Sequence, residues 1–159
     1  MPEELTPAPV TAGELVLRPV ARELAAALCA GDFGGITAGE GWPHEDSMDG
    51  LTGVAQGGSL GWLVTLDGAV VGDCGTHGPP DEAGTVEIGY GLAAPCRGRG
   101  YGKAVVRALS QWFLAQPGIT RVLAHTLPDN VPSRRSLESA GFRLDGEDDG
   151  ECRYVLDGT

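Results

Sequence analysis

The sequence lacks the signals of a secreted, membrane-spanning or metal-binding protein. Its four cysteines, Cys29, Cys74, Cys96 and Cys152, include no Cys-x-x-Cys pair, so we predict reduced thiols and neither a zinc site nor a disulfide framework. No apolar run approaches the ~20 residues that a membrane span requires. The chain begins with acidic residues and prolines, whereas a signal peptide begins basic and continues apolar. These absences predict a cytoplasmic chain with no bound metal and no membrane partner.

Basic side chains are also scarce, and their distribution is uneven. The chain has 11 Lys and Arg residues against 22 Asp and Glu, for a formal net charge of −11. This charge argues against nucleic acid as a partner, because such binding rests on neutralising phosphates. Eight of the 11 basic residues lie within 97–143, whereas residues 23–96 hold 11 acids and no base. The division predicts one half that holds an anion and another that attracts a cation, with a chance distribution on an acidic surface as the alternative.

The length of 159 residues suits a single domain, 1–159, in which residues 1–12 are expected to form a loose tail. Alternating apolar residues predict seven strands, and helical spacing with capping residues predicts four helices. The order of these elements favours a mostly antiparallel sheet with helices on both faces. Residues 31–58 show no clear pattern apart from one short helix. The predicted strands are 14–19, 61–66, 69–74, 85–92, 120–126, 142–144 and 151–156, and the predicted helices are 20–30, 46–56, 100–116 and 132–140.

A glycine-rich turn, Cys96-Arg97-Gly98-Arg99-Gly100-Tyr101-Gly102, connects a predicted strand to the longest predicted helix. Glycines at alternate positions allow backbone N–H groups to turn toward a ligand, and the helix start adds unpaired N–H groups and a positive dipole end. The turn therefore predicts a phosphate or pyrophosphate site. A Rossmann turn does not fit, because Lys103 stands where its third glycine belongs, and no Walker sequence follows. A structural turn without a ligand stays open as the alternative.

Three motifs, in order, resemble the GNAT superfamily of N-acetyltransferases. They are the strand Val86-Glu-Ile-Gly-Tyr90, the turn Arg97-Gly-Arg-Gly-Tyr-Gly102, and Asp129-Asn130-x-x-Ser133 with Gly141-Phe142 beyond it. The last motif is similar to the RimJ/RimL branch, which acetylates protein N-termini and some small amines. The resemblance is specific from about residue 85 to residue 146. It implies a mixed α/β fold: a mostly antiparallel twisted sheet of about seven strands, splayed at the cofactor site, with about four helices on both faces.

The resemblance further implies acetyl-CoA as the cofactor and assigns residues to its parts. The backbone N–H groups of the glycine-rich turn would hold the pyrophosphate, and the strand edge after residue 91 would pair with the pantetheine. Asn130 would hydrogen-bond the pantetheine or cap the following helix, and the two roles are compatible. The cofactor-binding residues expected on this basis are Leu92, Ala93, Ala94, Arg97, Gly98, Arg99, Gly100, Tyr101, Gly102, Asn130 and Ser133.

Two residues are the catalytic candidates. Glu87 follows the strand alternation that points it away from Val86 and Ile88, so its carboxylate could act as the base that deprotonates an amine. A solvent-facing strand carboxylate is the alternative. Many relatives carry a tyrosine for protonating the departing thiolate where this chain has Leu137, so Ser133 is the substitute expected from the RimJ/RimL pattern. Its other role would be to support the first turn of its helix.

The expected reaction is direct attack of a primary amine on the acetyl carbonyl in a ternary complex. The acceptor would be a protein or peptide N-terminal α-amine or a small cationic amine, bound by Glu87 and by Trp42 and His44. Core packing is the alternative for Trp42, and His125 is either a proton acceptor or a hydrogen-bonded structural histidine. Antibiotic or other small-molecule acetylation and a catalytically idle CoA-binding module are the competing functions. A monomer or a homodimer is expected.

Overall fold

The computed structural model of the chain describes residues 5–158 and consists of one sheet with helices on both faces. A 3-10 turn, Ala94–Cys96, precedes the longest helix. The strands are β1 (Val10–Ala12), β2 (Leu15–Pro19), β3 (Gly61–Leu66), β4 (Ala69–Thr76), β5 (Thr85–Leu92), β6 (Arg121–Thr126), β7 (Arg143–Asp148) and β8 (Glu151–Asp157). The helices are α1 (Arg22–Cys29), α2 (Ser47–Ala55), α3 (Tyr101–Leu114) and α4 (Val131–Ser139).

The strand order is β1-β2-β3-β4-β5-β6-β8-β7, and every neighbouring pair is antiparallel except β5 and β6. The predicted mixed α/β fold with a mostly antiparallel sheet is therefore confirmed. The sheet has eight strands rather than about seven, because β1 lies within the predicted tail. Val10 pairs with Leu17 and Ala12 with Leu15. The loose-tail prediction is thus wrong for residues 10–12, and residues 1–4 lie outside the described part of the chain.

Most predicted element boundaries agree with the structure within two residues, and β5 agrees at both ends. The main difference is at β7, which begins at Arg143 and continues to Asp148 through the acidic segment that the sequence predicts as a turn. Pairing of Asp148 with Glu151 extends this hairpin. The turn itself is limited to Asp149 and Gly150, both at positive φ, because cross-strand hydrogen bonds outweigh the low strand propensity of the acidic residues.

Two separate cores lie on the two faces of the sheet. On one face, α3 and α4 cover a core in which the Trp62 ring meets Phe113 at 5.7 Å and Trp112 at 5.3 Å, edge to face. On the other face, α1 and α2 cover a smaller core that includes Leu28 and Trp42. The sheet is therefore held in place from both sides.

The pairing between β5 and β6 is short, and this leaves a gap in the middle of the sheet. It ends at Ile88 and Ala124, although β5 continues to Leu92 alongside β4, and β6 continues to Thr126 alongside β8. The two strands consequently diverge beyond residue 88. No helix within residues 5–158 has the length and apolar character to cross a membrane, and the cytoplasmic location stays a prediction.

A pair of leucine substitutions tests the larger core. Leu109 in α3 is fully buried, whereas Leu144 in β7 is 52% exposed. We expect Leu109→Ala to lower the free energy of unfolding by about 2–5 kcal/mol, because it leaves a cavity in a packed core. The same truncation at Leu144 should change it by less than about 0.5 kcal/mol. Chemical denaturation of both variants measures the difference, and equal losses would contradict the described packing.

Candidate active site

A cavity of about 640 Å³ lies where β5 and β6 diverge. It passes through the sheet, since its wall includes Ile88 and Tyr90 on the face covered by α3 and α4 and His77 and His125 on the other. The cavity thus has two compartments, one on each face of the sheet, and they meet at the gap between the strands. One compartment is bordered by Tyr90 and by Asn130 and Ser133 at the start of α4, and the other is bordered by α2 and the carboxylates around it.

The glycine-rich turn presents free backbone donors at the start of α3. Gly98 and Gly100 adopt φ of 78° and 80°, a conformation that favours glycine. Gly100 is the helix N-cap and offers no side-chain cap. Within the described residues, the N–H groups from Gly98 to Gly102 have no hydrogen-bond acceptor. Such a group of donors at a helix N-terminus is suited to a phosphate.

Arg97 belongs to the framework of this turn rather than to its free donors. Its N–H donates to the carbonyl of Ala94 at 3.2 Å, and its Nε donates to the carbonyl of Leu92 at 3.0 Å. The prediction that the Arg97 N–H holds the pyrophosphate therefore needs correction, because that donor is already used within the chain. The free donors begin one residue later, at Gly98.

The strand edge predicted to pair with pantetheine, Leu92-Ala93-Ala94, needs correction at the Ala93 N–H and the Leu92 carbonyl, whereas the N–H groups of Leu92 and Ala94 stay predictions. The N–H of Ala93 donates to the carbonyl of Val71 at 2.7 Å, and the Leu92 carbonyl is the acceptor for Arg97. The Glu87 carbonyl points toward β4, where it accepts from His77. Alternation along β5 therefore directs the N–H and C=O of Tyr90 toward the gap left by β6. The sequence pattern does not reveal Tyr90 as an edge residue, because its role depends on where the pairing with β6 ends.

Ser133 and Asn130 both line the compartment on the α4 side of the sheet, where the cofactor is predicted to bind and which we call the cofactor-side compartment. Asn130 is the N-cap of α4 and its Oδ1 accepts from the Ser133 N–H at 3.3 Å. The Ser133 hydroxyl lies 3.2 Å from the Tyr90 hydroxyl. Burial raises the pKa of Tyr90, although hydrogen bonds to Ser133 and Ser136 oppose this shift. The two hydroxyls form a neutral hydrogen-bonded pair on the cavity wall.

Glu87 connects to the cavity through His125. Val86 and Ile88 are buried, and Glu87 projects from the opposite face of β5. Its Oε2 lies 3.1 Å from His125 Nδ1, and the other ring nitrogen of His125 lies 2.9 Å from Asp148 Oδ2. His125 lines the cavity, whereas Glu87 does not. The Glu87 carboxylate is therefore at the margin of the cavity with an imidazole beside it.

The pKa of His125 reflects two opposing influences. Burial lowers it, but the hydrogen bonds to Asp148 and Glu87 outweigh burial, and the net pKa is raised above the usual 6.5. The pKa of Asp148 is lowered, chiefly by its hydrogen bond to His125 and then by Arg153. The sequence indicates His125 as a candidate but not Asp148, because the position of Asp148 depends on the extension of β7.

The compartment on the α2 side of the sheet, where the acceptor is predicted to bind and which we call the acceptor-side compartment, is lined by acidic and imidazole side chains. All three histidines of the chain lie on the cavity wall, and no Lys or Arg is among the wall residues. The rings of His77 and His44 lie over Gly89 and Gly91, where a Cβ atom would approach them to 2.5 and 2.6 Å. The carboxylates on the wall are Asp46, Asp49, Asp73 and Glu151. The described residues contain no group of three His, Cys, Asp or Glu arranged to hold a metal ion.

His44 and Asp73 form a buried pair in this compartment. His44 Nε2 lies 3.3 Å from Asp73 Oδ2 without the alignment of a hydrogen bond, and the His44 side chain is only 9% exposed. The nearby Asp73 carboxylate nevertheless raises the pKa of His44, outweighing burial, which lowers it. The Nε2 atom is therefore a buried polar group on the cavity wall that has an ionic contact with Asp73 and no hydrogen bond within the described residues.

Trp42 supports this pair from behind, and its predicted direct contact with the substrate needs correction. The residue is 4% exposed, packs against Phe33 with ring centroids 5.8 Å apart, and is not on the cavity wall. Its indole N–H donates to Asp73 Oδ2 at 2.9 Å. The alternative role of core packing is the one that the structure supports, with orientation of Asp73 as its link to the site.

A sheet that splays beside a turn with free N–H groups fits an acyl-CoA-binding transferase, and comparison with known proteins identifies the family. The model of the acetyltransferase (GNAT) domain matches residues 14–143. The chain therefore belongs to the GNAT family of acetyltransferases and is an acetyl-CoA-dependent enzyme.

Individual relatives agree with this assignment. The chain is 31% identical over 123 residues to the uncharacterized N-acetyltransferase YjdG of Bacillus subtilis (strain 168), covering 71% of this chain and 73% of that protein. Among solved structures, RimL, a ribosomal L7/L12 alpha-N-protein acetyltransferase in complex with coenzyme A, has a TM-score of 0.70 at 17% identity, covering 95% and 98% of the two chains. The aminoglycoside acetyltransferase AAC(6')-Ib with coenzyme A and kanamycin has a TM-score of 0.66 at 22% identity, covering 90% and 94%. These two structures share the fold.

The His44–Asp73 pair can be tested by titration. We expect Asp73→Asn to lower the pKa of His44, because it removes the main raising influence and leaves burial, which lowers the pKa. NMR titration of the three histidine rings measures the change. Asp67→Asn, in the turn before β4, is the matched control and should leave His44 unchanged.

The His44–Asp73 pair also makes the stability of the fold depend on pH, and the direction of this dependence can be predicted. A folded-state pKa above 6.5 means that protonated His44 stabilises the fold fully below pH 6.5, and that this contribution is lost as pH rises through the folded-state value. Asp73→Asn should reduce the loss of folding stability that accompanies this rise in pH. An unchanged His44 pKa in Asp73→Asn would contradict the pairing.

Proposed function

We propose that this acetyltransferase acts on a primary amine in a cationic molecule, with the N-terminal α-amine of a protein or peptide as the leading candidate. The observation that carries the proposal is the acceptor-side compartment, with its four carboxylates and no Lys or Arg on the wall. Such a wall attracts an ammonium group and repels anionic acceptors. A small polycationic amine is the second candidate, because the same charges would favour it.

The α-amine is favoured by the cost of making the nucleophile. An amine attacks only as the neutral base. Deprotonation at pH 7 costs about 1 kcal/mol for an α-amine with a pKa near ~7.7–8, against roughly 4–5 kcal/mol for a lysine-like amine near ~10.4. A carboxylate base at the margin of the cavity is adequate for the smaller cost. In this proposal Glu87 accepts the proton from the ammonium group, directly or through water.

The free donors of the glycine-rich turn fit the pyrophosphate of acetyl-CoA, which supplies the acetyl group as a thioester. Two observations support this fit: N–H groups from Gly98 to Gly102 without an acceptor in the described residues, and a strand edge at Tyr90 that no strand covers. Asn130 lies on the same wall. The cofactor set that we propose is thus Gly98 to Gly102 with Tyr90 and Asn130.

Ser133 holds the proton at Oγ that we propose is donated to the leaving sulfur. Its hydroxyl lies on the cavity wall, and the hydroxyl oxygen of Tyr90 lies 3.2 Å from it, within hydrogen-bond distance. Leu137, at the position where many relatives carry a tyrosine, lines the cavity without a polar group. The amine and the proton donor can therefore meet in the cavity with the proposed base at its margin, as direct attack in a ternary complex requires.

Thiol release from acetyl-CoA with a set of acceptors tests the proposed function. We expect turnover of a peptide with a free α-amine and an adjacent basic residue, and none of the same peptide with a blocked N-terminus. Turnover of kanamycin alone would instead establish the small-molecule alternative. Binding of CoA without thiol release on any amine would favour an idle module and contradict the proposal. Glu87→Gln should lower kcat by about 10²–10⁴-fold, whereas Glu82→Gln in the preceding turn should not.

Two glycines with the same backbone strain test the proposed pyrophosphate site. Gly100 and Gly118 stand at the two ends of the α3 region with φ of 80° and 82°, and neither has an atom within 4 Å of an added Cβ. Alanine in this conformation costs about 1–2 kcal/mol at either position. We expect Gly100→Ala to weaken CoA binding by about tenfold, because relief of the strain reorients the free N–H groups. Gly118→Ala should lower stability to a similar extent and leave CoA affinity unchanged, as calorimetric titration can show; equal affinities in both variants would contradict the site.

A further inference from the structure

A second cavity, of about 1060 Å³, lies at the end of the sheet away from the gap between β5 and β6. Its wall includes Leu60 just before β3, Thr76 at the end of β4, Val86 near the start of β5 and Ile119 just before β6. The gap, in contrast, lies toward the far ends of β5 and β6. We call this second cavity the end cavity, and none of the predicted site residues lies on its wall.

The wall of the end cavity is mainly apolar. Val86 and Ile119 are buried and form its inner side, whereas Pro79, Pro80 and Pro117 are exposed and border its open side. Cavities of roughly 300–1,000 Å³ with mostly apolar walls are typical of ligand sites. An apolar side chain that entered this cavity would remove apolar surface from water on the wall and on the ligand alike.

Two carboxylates of the turn between β4 and β5 also border the end cavity, but their contacts assign them no ligand. Asp81 Oδ1 accepts from the N–H groups of Ala83 and Thr85, both at 2.9 Å, so this side chain stabilises its own turn. Glu82 is exposed to solvent. No Lys or Arg is among the wall residues. The end cavity therefore suits an uncharged apolar group, whereas the acceptor-side compartment suits a cation.

The end cavity adjoins the cavity at the gap, because Ser59, Leu60, Thr76 and Gly78 lie on the walls of both. Three hydrogen bonds fix this junction. The Leu60 N–H donates to Thr76 Oγ1 and the Thr76 N–H donates to the Leu60 carbonyl, both at 2.9 Å, and the Gly78 N–H donates to Ser59 Oγ at 3.1 Å. The four shared residues thus present no charge to a molecule that crosses from one cavity to the other.

The junction lies level with the start of the gap. Thr76 is the register partner of Ile88, and Ile88 is the last residue of β5 that pairs with β6. Tyr90, beside the gap, and Val86, on the end cavity, are separated along β5 by about 13 Å at ~3.3 Å per residue. An extended chain whose α-amine lies at the gap therefore needs at least about four residues to reach the end cavity.

We propose that the end cavity binds an apolar segment of the acceptor polypeptide that begins about four residues after the α-amine. The inference rests on the proposed function, because it requires a polypeptide acceptor, and it names the class of that acceptor: a cationic N-terminus followed by apolar side chains. The acidic compartment attracts the first part, and the apolar wall binds the second. The shared wall favours one molecule that occupies both cavities over an unconnected small ligand. A compact aminoglycoside or a short polyamine gains nothing from the end cavity.

Matched peptides test whether the end cavity contributes to acceptor binding. Two peptides of about eight residues share a free α-amine, a basic second residue and the same first four residues, and they differ only in having leucine or serine after the fourth. We expect a KM about tenfold lower for the leucine peptide, because its apolar side chains leave water. Its kcat should equal that of the serine peptide, because the reacting amine is the same. A peptide of about three residues with the same start should have a KM close to that of the serine peptide.

Gly58→Trp tests where this contact lies. Gly58 lines the end cavity, a Cβ added there meets no atom within 4 Å, and its φ lies outside the left-handed region. Gly57 is unsuitable, because its φ is 82° and an added Cβ would lie 3.1 Å from Arg22 Cζ. The indole should fill the end cavity, so we expect the KM of the leucine peptide to rise to that of the serine peptide. Ala83→Trp adds the same side chain at an exposed residue off both walls and, as the matched control, should keep the difference in KM.

Calorimetric titration of the two longer peptides with blocked N-termini reports binding without turnover. The leucine peptide should bind about tenfold more tightly than the serine peptide to the unmodified protein and to Ala83→Trp, and no more tightly to Gly58→Trp. Equal affinities and equal KM values in the unmodified protein would overturn the proposal, as would a leucine preference that persists in Gly58→Trp.

Two other outcomes have separate meanings. Self-association that Gly58→Trp abolishes, with equal KM values for the two peptides, would identify a second copy of the chain as the occupant and overturn the proposal. Absence of thiol release from every acceptor while CoA binds would overturn the proposed function, whereas the calorimetric comparison of the blocked peptides decides the end cavity independently.

Discussion

The separation of β5 from β6 is the constraint on which the rest of the site depends. Four residues of parallel pairing hold the two strands together, and the pairing stops at Ile88 and Ala124. A sheet interior normally satisfies every backbone N–H and C=O, so a strand that loses its neighbour at mid-length leaves polar groups in need of a partner. The cavity at this gap is where the compartments that we propose for the cofactor and the acceptor meet.

Charge is divided between these compartments by the order of the chain. The acidic segment before Cys96 supplies three of the four carboxylates on the cavity wall, and the basic segment after it supplies the glycine-rich turn and α3. The groups near each compartment therefore carry the sign of charge that predominates in the segment of the chain that supplies them. The free N–H groups at Gly98 to Gly102 add positive partial charge without a side chain. The net charge of −11 therefore coexists with a local site for an anion.

Local patterns made much of this architecture predictable. Alternation located β5 and the outward direction of Glu87, and the glycines located the turn before α3, because both signals depend on neighbouring residues only. Contacts between distant strands could not be predicted in the same way. Asp148 reaches His125 only because β7 extends past the expected turn, and Trp42 lies behind Asp73 because the loop before α2 folds against Phe33. The edge strand β1 was missed since three residues carry too little pattern to distinguish them from a tail.

The two histidine rings that rest on Gly89 and Gly91 have a consequence for how such an enzyme can diversify. The rings occupy the space that side chains at these two positions would otherwise fill. The depth of the acceptor-side compartment therefore depends on two glycines of β5, whose other face belongs to the larger core. A larger residue at either position would displace a ring and narrow the chamber, while the glycine-rich turn, several residues further along the chain, would keep its shape. Substitutions on β5 could therefore change acceptor preference without changing cofactor affinity, although the glycine-rich turn follows the same strand.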